Sequence, residues 1–77
     1  MSLSWSDEVK ALGFSAVEVY GSVDIYRSCD GVLVCTLSIS QYLGYAQVTF
    51  FVDLDQIGID LGRLILEKLK IMEVCFV

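Results

Sequence analysis

Apolar positions recur along this chain with helical spacing, then with strand spacing, then with helical spacing again. Trp5, Val9 and Leu12 stand at i, i+4 and i+7, which predicts one face of a short helix over roughly residues 5–12. Ser4 followed by Asp7 fits a capping box, and Asp7 and Glu8 fall in the first turn, where the helix dipole favours anions. Gly13 supplies the terminating residue and Phe14 the apolar contact behind it.

Strict alternation follows. Val17, Val19, Val23 and Ile25 fall in one series with Gly21, and Glu18, Tyr20, Ser22, Asp24 and Tyr26 in the other. The pattern predicts one long strand bent at Gly21. Cys29-Asp30-Gly31 is read as a three-residue loop with Gly31 in the left-handed region, pairing Ile25 with Cys35 and Val23 with Leu37. The second strand then spans about Val32 to Ser40, with Leu33, Cys35, Leu37 and Ile39 inward. A turn at Gln41–Gly44 leads to a third strand, Tyr45 to about Asp53, with Ala46, Val48, Phe50 and Val52 inward. This register pairs Ile39 with Ala46, Leu37 with Val48 and Cys35 with Phe50.

Asp60 is the expected N-cap of a second helix, in which Asp60, Arg63, Glu67 and Lys70 form one narrow polar stripe. Nearly everything else from Leu61 to Met72 is apolar, so the helix is expected to be mostly buried. Residues 71–77 either continue it or alternate as a short final strand; their β-branched content leans toward strand. The expected fold is a single α+β domain over residues 1–77: short N-terminal helix, three-stranded antiparallel meander and C-terminal helix, with residues 71–77 open to forming a short final strand.

The second face of the meander changes the picture. In the expected register Tyr26, Val34 and Phe51 form one row with Val32 beside it, Tyr20, Ser40 and Tyr45 form another, and Asp24, Thr36 and Thr49 lie between. A solvated sheet face is mostly Thr, Lys, Glu, Ser and Gln, whereas this one carries three Tyr, one Phe and two Val. Two short helices cover one face of such a sheet, so the other reads as an interface. Its expected residues are Tyr20, Tyr26, Val32, Val34, Tyr45 and Phe51.

Composition narrows the chemistry. The 77 residues include 10 acidic and 5 basic side chains, a formal net charge of −5, and no His or Pro. Without His, the commonest general base and metal ligand are missing from the chain. Excess negative charge disfavours phosphate neutralisation, so no nucleic-acid partner is expected. Although 56% of residues are apolar, no run reaches the ~20 that a membrane helix needs. The first ten residues lack a basic segment followed by an apolar run, which predicts a cytoplasmic protein. Cys29, Cys35 and Cys75 form no CxxC and read as small hydrophobes.

Asp53-Leu54-Asp55-Gln56-Ile57-Gly58 matches D-x-D-x-x-G, but position twelve of that loop is Leu64 instead of the bidentate Glu that calcium needs. No metal or cofactor is therefore expected, and no enzymatic activity. The expected function is a non-catalytic protein-interaction module that self-associates, with a homodimer the first expectation. The alternative is a small acidic inhibitor, of the kind encoded on phages or mobile elements, whose Asp24, Asp53, Asp55 and Asp60 occupy a basic groove on a nucleic-acid enzyme. A carrier of a small apolar ligand is the third reading.

Overall fold

A computed structural model describes residues 5–40, 45–53, 55–69 and 71–77. The described chain runs α1 (Ser6–Ala11), β1 (Phe14–Val19), β2 (Ser22–Arg27), β3 (Leu33–Ser40), β4 (Tyr45–Phe50), α2 (Gln56–Lys68) and β5 (Ile71–Phe76). The α+β class holds; the expected three-stranded meander is a four-stranded one, and the possible final strand at 71–77 is present as β5. The sheet has the order β1-β2-β3-β4-β5. Its first four strands are antiparallel neighbours, and β5 pairs parallel to β4 after the α2 crossover.

The expected long first strand is a hairpin. Val19 pairs with Ser22, and Tyr20-Gly21 is the two-residue turn, with Gly21 at φ 71°. Positions 19 and 22 have opposite parity but share a face, so the turn inverts the assignment made from alternation. Val17 and Val19 consequently lie on the outer face, opposite Asp24 and Ser22, while Phe14 and Ala16 face the core.

The β2–β3 connection is also corrected. The loop holds four residues, 28–31, because the Arg27 N–H donates to the Val32 carbonyl at 2.8 Å. Tyr26 then pairs with Leu33, and a bulge follows before Ile25 pairs with Cys35. The shorter loop that was expected and the bulge that was not differ by one residue each, so the two cancel beyond Ile25. Between them lies Val34, assigned from sequence to the outer face and in fact 2% exposed in the core. A bulge sets two consecutive residues opposite one partner residue, and Val34 and Cys35 both turn inward. Leu33 takes the outer position beside Tyr26. Beyond the bulge the predicted pairs are present: Val23–Leu37, Cys35–Phe50, Leu37–Val48 and Ile39–Ala46.

One core joins the helices to the inner face. Trp5 and Val9 of the first helix and Leu61 and Ile65 of the second pack with Val23, Ile25, Leu37, Val48 and Phe50. Glu8 and Lys68 bridge the two helices at 3.1 Å. The N-cap position of α1 is Trp5, with no side-chain cap bond, while Ser4 of the expected capping box lies outside the described residues. The N-cap of α2 is Asp55, not Asp60: its carboxylate accepts the Gly58 N–H at 2.8 Å, and the helix starts at Gln56. Asp60 instead accepts from the Gln56 side chain within the helix. The expected turn at 41–44 and the Lys70 end of the polar stripe also lie outside the described residues.

Candidate functional site

The outer face of the sheet is more polar than its sequence suggests. One row runs Val17, Asp24, Thr36, Thr49, Cys75, and the next runs Val19, Ser22, Ser38, Gln47, Glu73. These groups bond one another: the Thr36 hydroxyl donates to Asp24 at 2.9 Å, and the Gln47 amide lies 3.4 Å from the Cys75 sulfur. No residue of these two rows is buried. Hydroxyls and carboxylates that satisfy each other across strands suit a water-facing surface.

The expected interface residues do not form two rows. Tyr20 is fully exposed at the tip of the β1–β2 turn. Tyr45 opens β4 opposite Ser40, as read from sequence. Tyr26 is half-buried, Val32 and Phe51 are exposed, and the Phe51 N–H donates to the Val34 carbonyl at 2.9 Å. Tyr26, Leu33 and Phe51 thus mark a small apolar end of the outer face. The loop beside it is braced by Asp30, whose carboxylate accepts two Arg27 guanidinium nitrogens at 3.0 and 2.6 Å and the Val32 N–H at 3.1 Å. The Arg27 partner holds the Asp30 carboxyl below the usual carboxylate range, and Asp30 in turn raises Arg27.

The larger apolar surface lies on the inner face, where sequence reading did not look. Helix α2 buries Gly58, Leu61 and Ile65, yet leaves Ile57, Ile59 and Leu66 exposed, against the expectation of a mostly buried helix. Those three point away from the i, i+3, i+7 stripe that meets the sheet. Beyond the helix, β5 presents Val74 at 46% and Phe76 at 66% exposure, with Leu66 at 58% across from them. Phe76 stacks on Phe50 with centroids 5.5 Å apart, so the ring is held in place although most of it is open. Val48, Phe50, Gly62, Ile65, Leu66 and Val74 line a groove of about 230 Å³ between helix and strand, with Arg63 its charged member. β5 is also an edge strand, with one side free of hydrogen-bonding partners among the described residues.

A second hollow, about 210 Å³, lies between Leu12, Phe14, Val34, Val52 and Ile57, with Cys29, Asp53 and Asp55 among its lining. No polar or charged residue is buried among the described residues, so nothing fixed in its wall would orient a ligand. Asp53 and Asp55 flank the start of α2 on the helical layer, while Asp24 projects from the outer face, held by Thr36. The four carboxylates of the acidic-inhibitor reading are therefore spread over both layers. Among the described residues no three His, Cys, Asp or Glu side chains are grouped to hold a metal ion, and no helix is long and apolar enough to cross a membrane. Of the three cysteines only Cys35 is buried; Cys29 is exposed and Cys75 intermediate.

No family model, curated protein or solved structure matches this chain.

Proposed function

We propose that this protein is a non-catalytic interaction module that self-associates, and that its contact surface is the open β5 edge with the apolar groove beside α2. The observation that carries this reading is the coincidence of an unpaired strand edge with Val74, Phe76, Leu66 and Ile59, all exposed on one side of the sheet. These four side chains leave on the order of 400 Å² of surface per copy, within the size at which exposed patches mark contact sites. Two copies that cover these patches would remove roughly 800 Å², the size of a weak interface, to which hydrogen bonds along the open β5 edge would add. A second copy fits better than a charged partner, because Arg63 is the only charged residue among the described residues that line the groove.

Charge also separates this reading from the acidic inhibitor. Each copy carries −5, so two copies repel, and added salt strengthens self-association by screening. Binding of the carboxylates to a basic groove would weaken instead.

The test is solution mass by light scattering for the wild type and Leu66→Asp. Leu66 is exposed, so the charge does not disturb the monomer's core. The wild type is expected to exceed 8.6 kDa at tens of micromolar and Leu66→Asp to fall back to it. A wild type of 8.6 kDa throughout removes the proposal, and an oligomer that survives Leu66→Asp removes the surface assigned to it.

A further inference from the structure

We infer that two copies join their β5 strands antiparallel about a two-fold axis at Cys75, making one continuous sheet; this rests on the self-association proposed above and specifies its register. The direction of the backbone comes first. The Val77 N–H donates to the Phe50 carbonyl at 3.0 Å, and Cys75 pairs with Thr49 in the parallel ladder. Alternate residues of a strand direct their backbone groups to opposite edges. Glu73, Cys75 and Val77 therefore turn their N–H and C=O toward β4, and Val74 and Phe76 turn theirs to the open side. An antiparallel partner must take its hydrogen bonds from Val74 and Phe76.

Side chains then select among the registers this allows. An axis at Cys75 sets Val74 opposite Phe76 of the partner subunit, twice, on the groove side. A β-branched residue facing an aromatic one is a favourable cross-strand pair. An axis at Val74 would set Phe76 against residue 72, where the β4–β5 register shifts between Ala46 and Gln47 and the ladder is irregular. An axis at Glu73 would bring two carboxylates directly opposite each other, and one at Phe76 would take Val74 out of its pairing with the partner's Phe76. The Cys75 axis uses only the regular part of the strand, 73–77, and separates Glu73 from its symmetry mate.

The same axis places the α2 helices of both copies over one side of the joined sheet. Leu66 and Ile59 of each then approach the partner's bared strand, and the groove that one helix leaves open closes against a second copy. The β1 edge offers no such match: Phe14 and Ala16 on its inner face already pack into the core, and Glu18 follows them.

The register has a covalent readout. Cys75 facing its mate at a non-hydrogen-bonded position has a Cα separation of about 4.5 Å, within disulfide reach. An axis at Val74 would offset the two sulfurs diagonally, with Cα atoms roughly 7–8 Å apart, beyond that reach. The experiment uses the full chain carrying Cys29→Ser, which removes the exposed thiol and leaves Cys35 in the core. Copper(II)–phenanthroline accepts the two electrons released as two thiols lose their protons and join. A rapid covalent dimer is expected on a non-reducing gel, absent when Cys75→Ser is added and suppressed at least tenfold by Leu66→Asp, which controls for random collision. A noncovalent dimer by light scattering with no Cys75 cross-link overturns this register and leaves the module standing. A monomeric wild type overturns both.

Discussion

Val34 and Val74 are the same residue on the inner side of the same sheet, yet one is sealed and the other is nearly half open. The difference lies in what stands above them. Val34 joins a core in which Trp5 and Val9 at the first helix and Leu61 and Ile65 of the second are buried with Val23, Ile25, Cys35 and Leu37, and a bulge turns it inward. Beside β5, among the described residues, lies the flank of α2 that carries Leu66 and Ile59, and these are themselves exposed. Two helices, one of them only Ser6–Ala11, are too little cladding for five strands. Among the described residues, one half of the inner face is sealed and an apolar half at Val74 and Phe76 stays exposed.

That contrast is broken most directly by truncating one leucine on each side. Leu37 is fully buried in the sealed half, and Leu37→Ala is expected to cost about 3 kcal/mol, from lost transfer free energy plus the cavity left behind. In a domain whose total stability is on the order of 5–15 kcal/mol, that is a large share. Urea unfolding followed by the fluorescence of Trp5, which is itself in the core, measures it. Leu66→Ala in the same assay, at concentrations where the chain is monomeric, is expected to cost under about 0.5 kcal/mol. Similar costs at the two sites would mean that the halves are not differently packed.

Much of the sealed half was legible in the sequence. The helix face of Trp5, Val9 and Leu12, the left-handed Gly31, and the pairs joining Val23, Leu37 and Val48 follow from periodicity and turn chemistry. What hid the rest was parity. A two-residue turn at Tyr20-Gly21 is shorter than the window in which alternation is judged, and Val17, Val19, Gly21, Val23 and Ile25 keep the period-two pattern across it. The bulge at Val34 is a compensated error, invisible to any check on the register beyond it. The exposed groove was missed for a different reason. An apolar residue in an amphipathic helix reads as core whether or not a sheet lies beneath it, and only the position of β5 at the edge reveals that Leu66 and Phe76 stay largely exposed among the described residues.

The sealed half also has a pH signature. Cys35 is fully buried, and burial, with the charge of Asp24 adding to it, pushes its thiol from 9.0 up to about 12. The unfolded chain therefore releases this proton at lower pH than the folded one. Below pH 9 the contribution to stability is fully present; from 9 toward 12 it is lost, at a slope of up to about 1.4 kcal/mol per pH unit. The informative quantity is the difference in slope between the wild type and Cys35→Ala. The variant is expected to lose stability less steeply above pH 9. Equal slopes would show that Cys35 is less enclosed than its neighbours make it.

Gly62 offers the smallest and most local change, because it lies in α2 between the two halves and forms part of the groove wall. Its spacing from Gly58 suggests a close backbone approach, but the two glycines are not alike. Gly58 is buried in the first turn, donating its N–H to the Asp55 cap, whereas a Cβ at Gly62 would meet only Phe50 Cζ, at 3.8 Å. That is ordinary van der Waals contact, so the glycine carries the entropic penalty of a helix interior without a steric reason. Gly62→Ala is expected to stabilise the monomer by about 0.5–1 kcal/mol in the same urea assay, and to leave the solution mass of the wild type unchanged. A loss of stability would mean that helix and sheet approach more closely at Phe50 than 3.8 Å implies, and that the groove is narrower than an edge-to-edge partner requires.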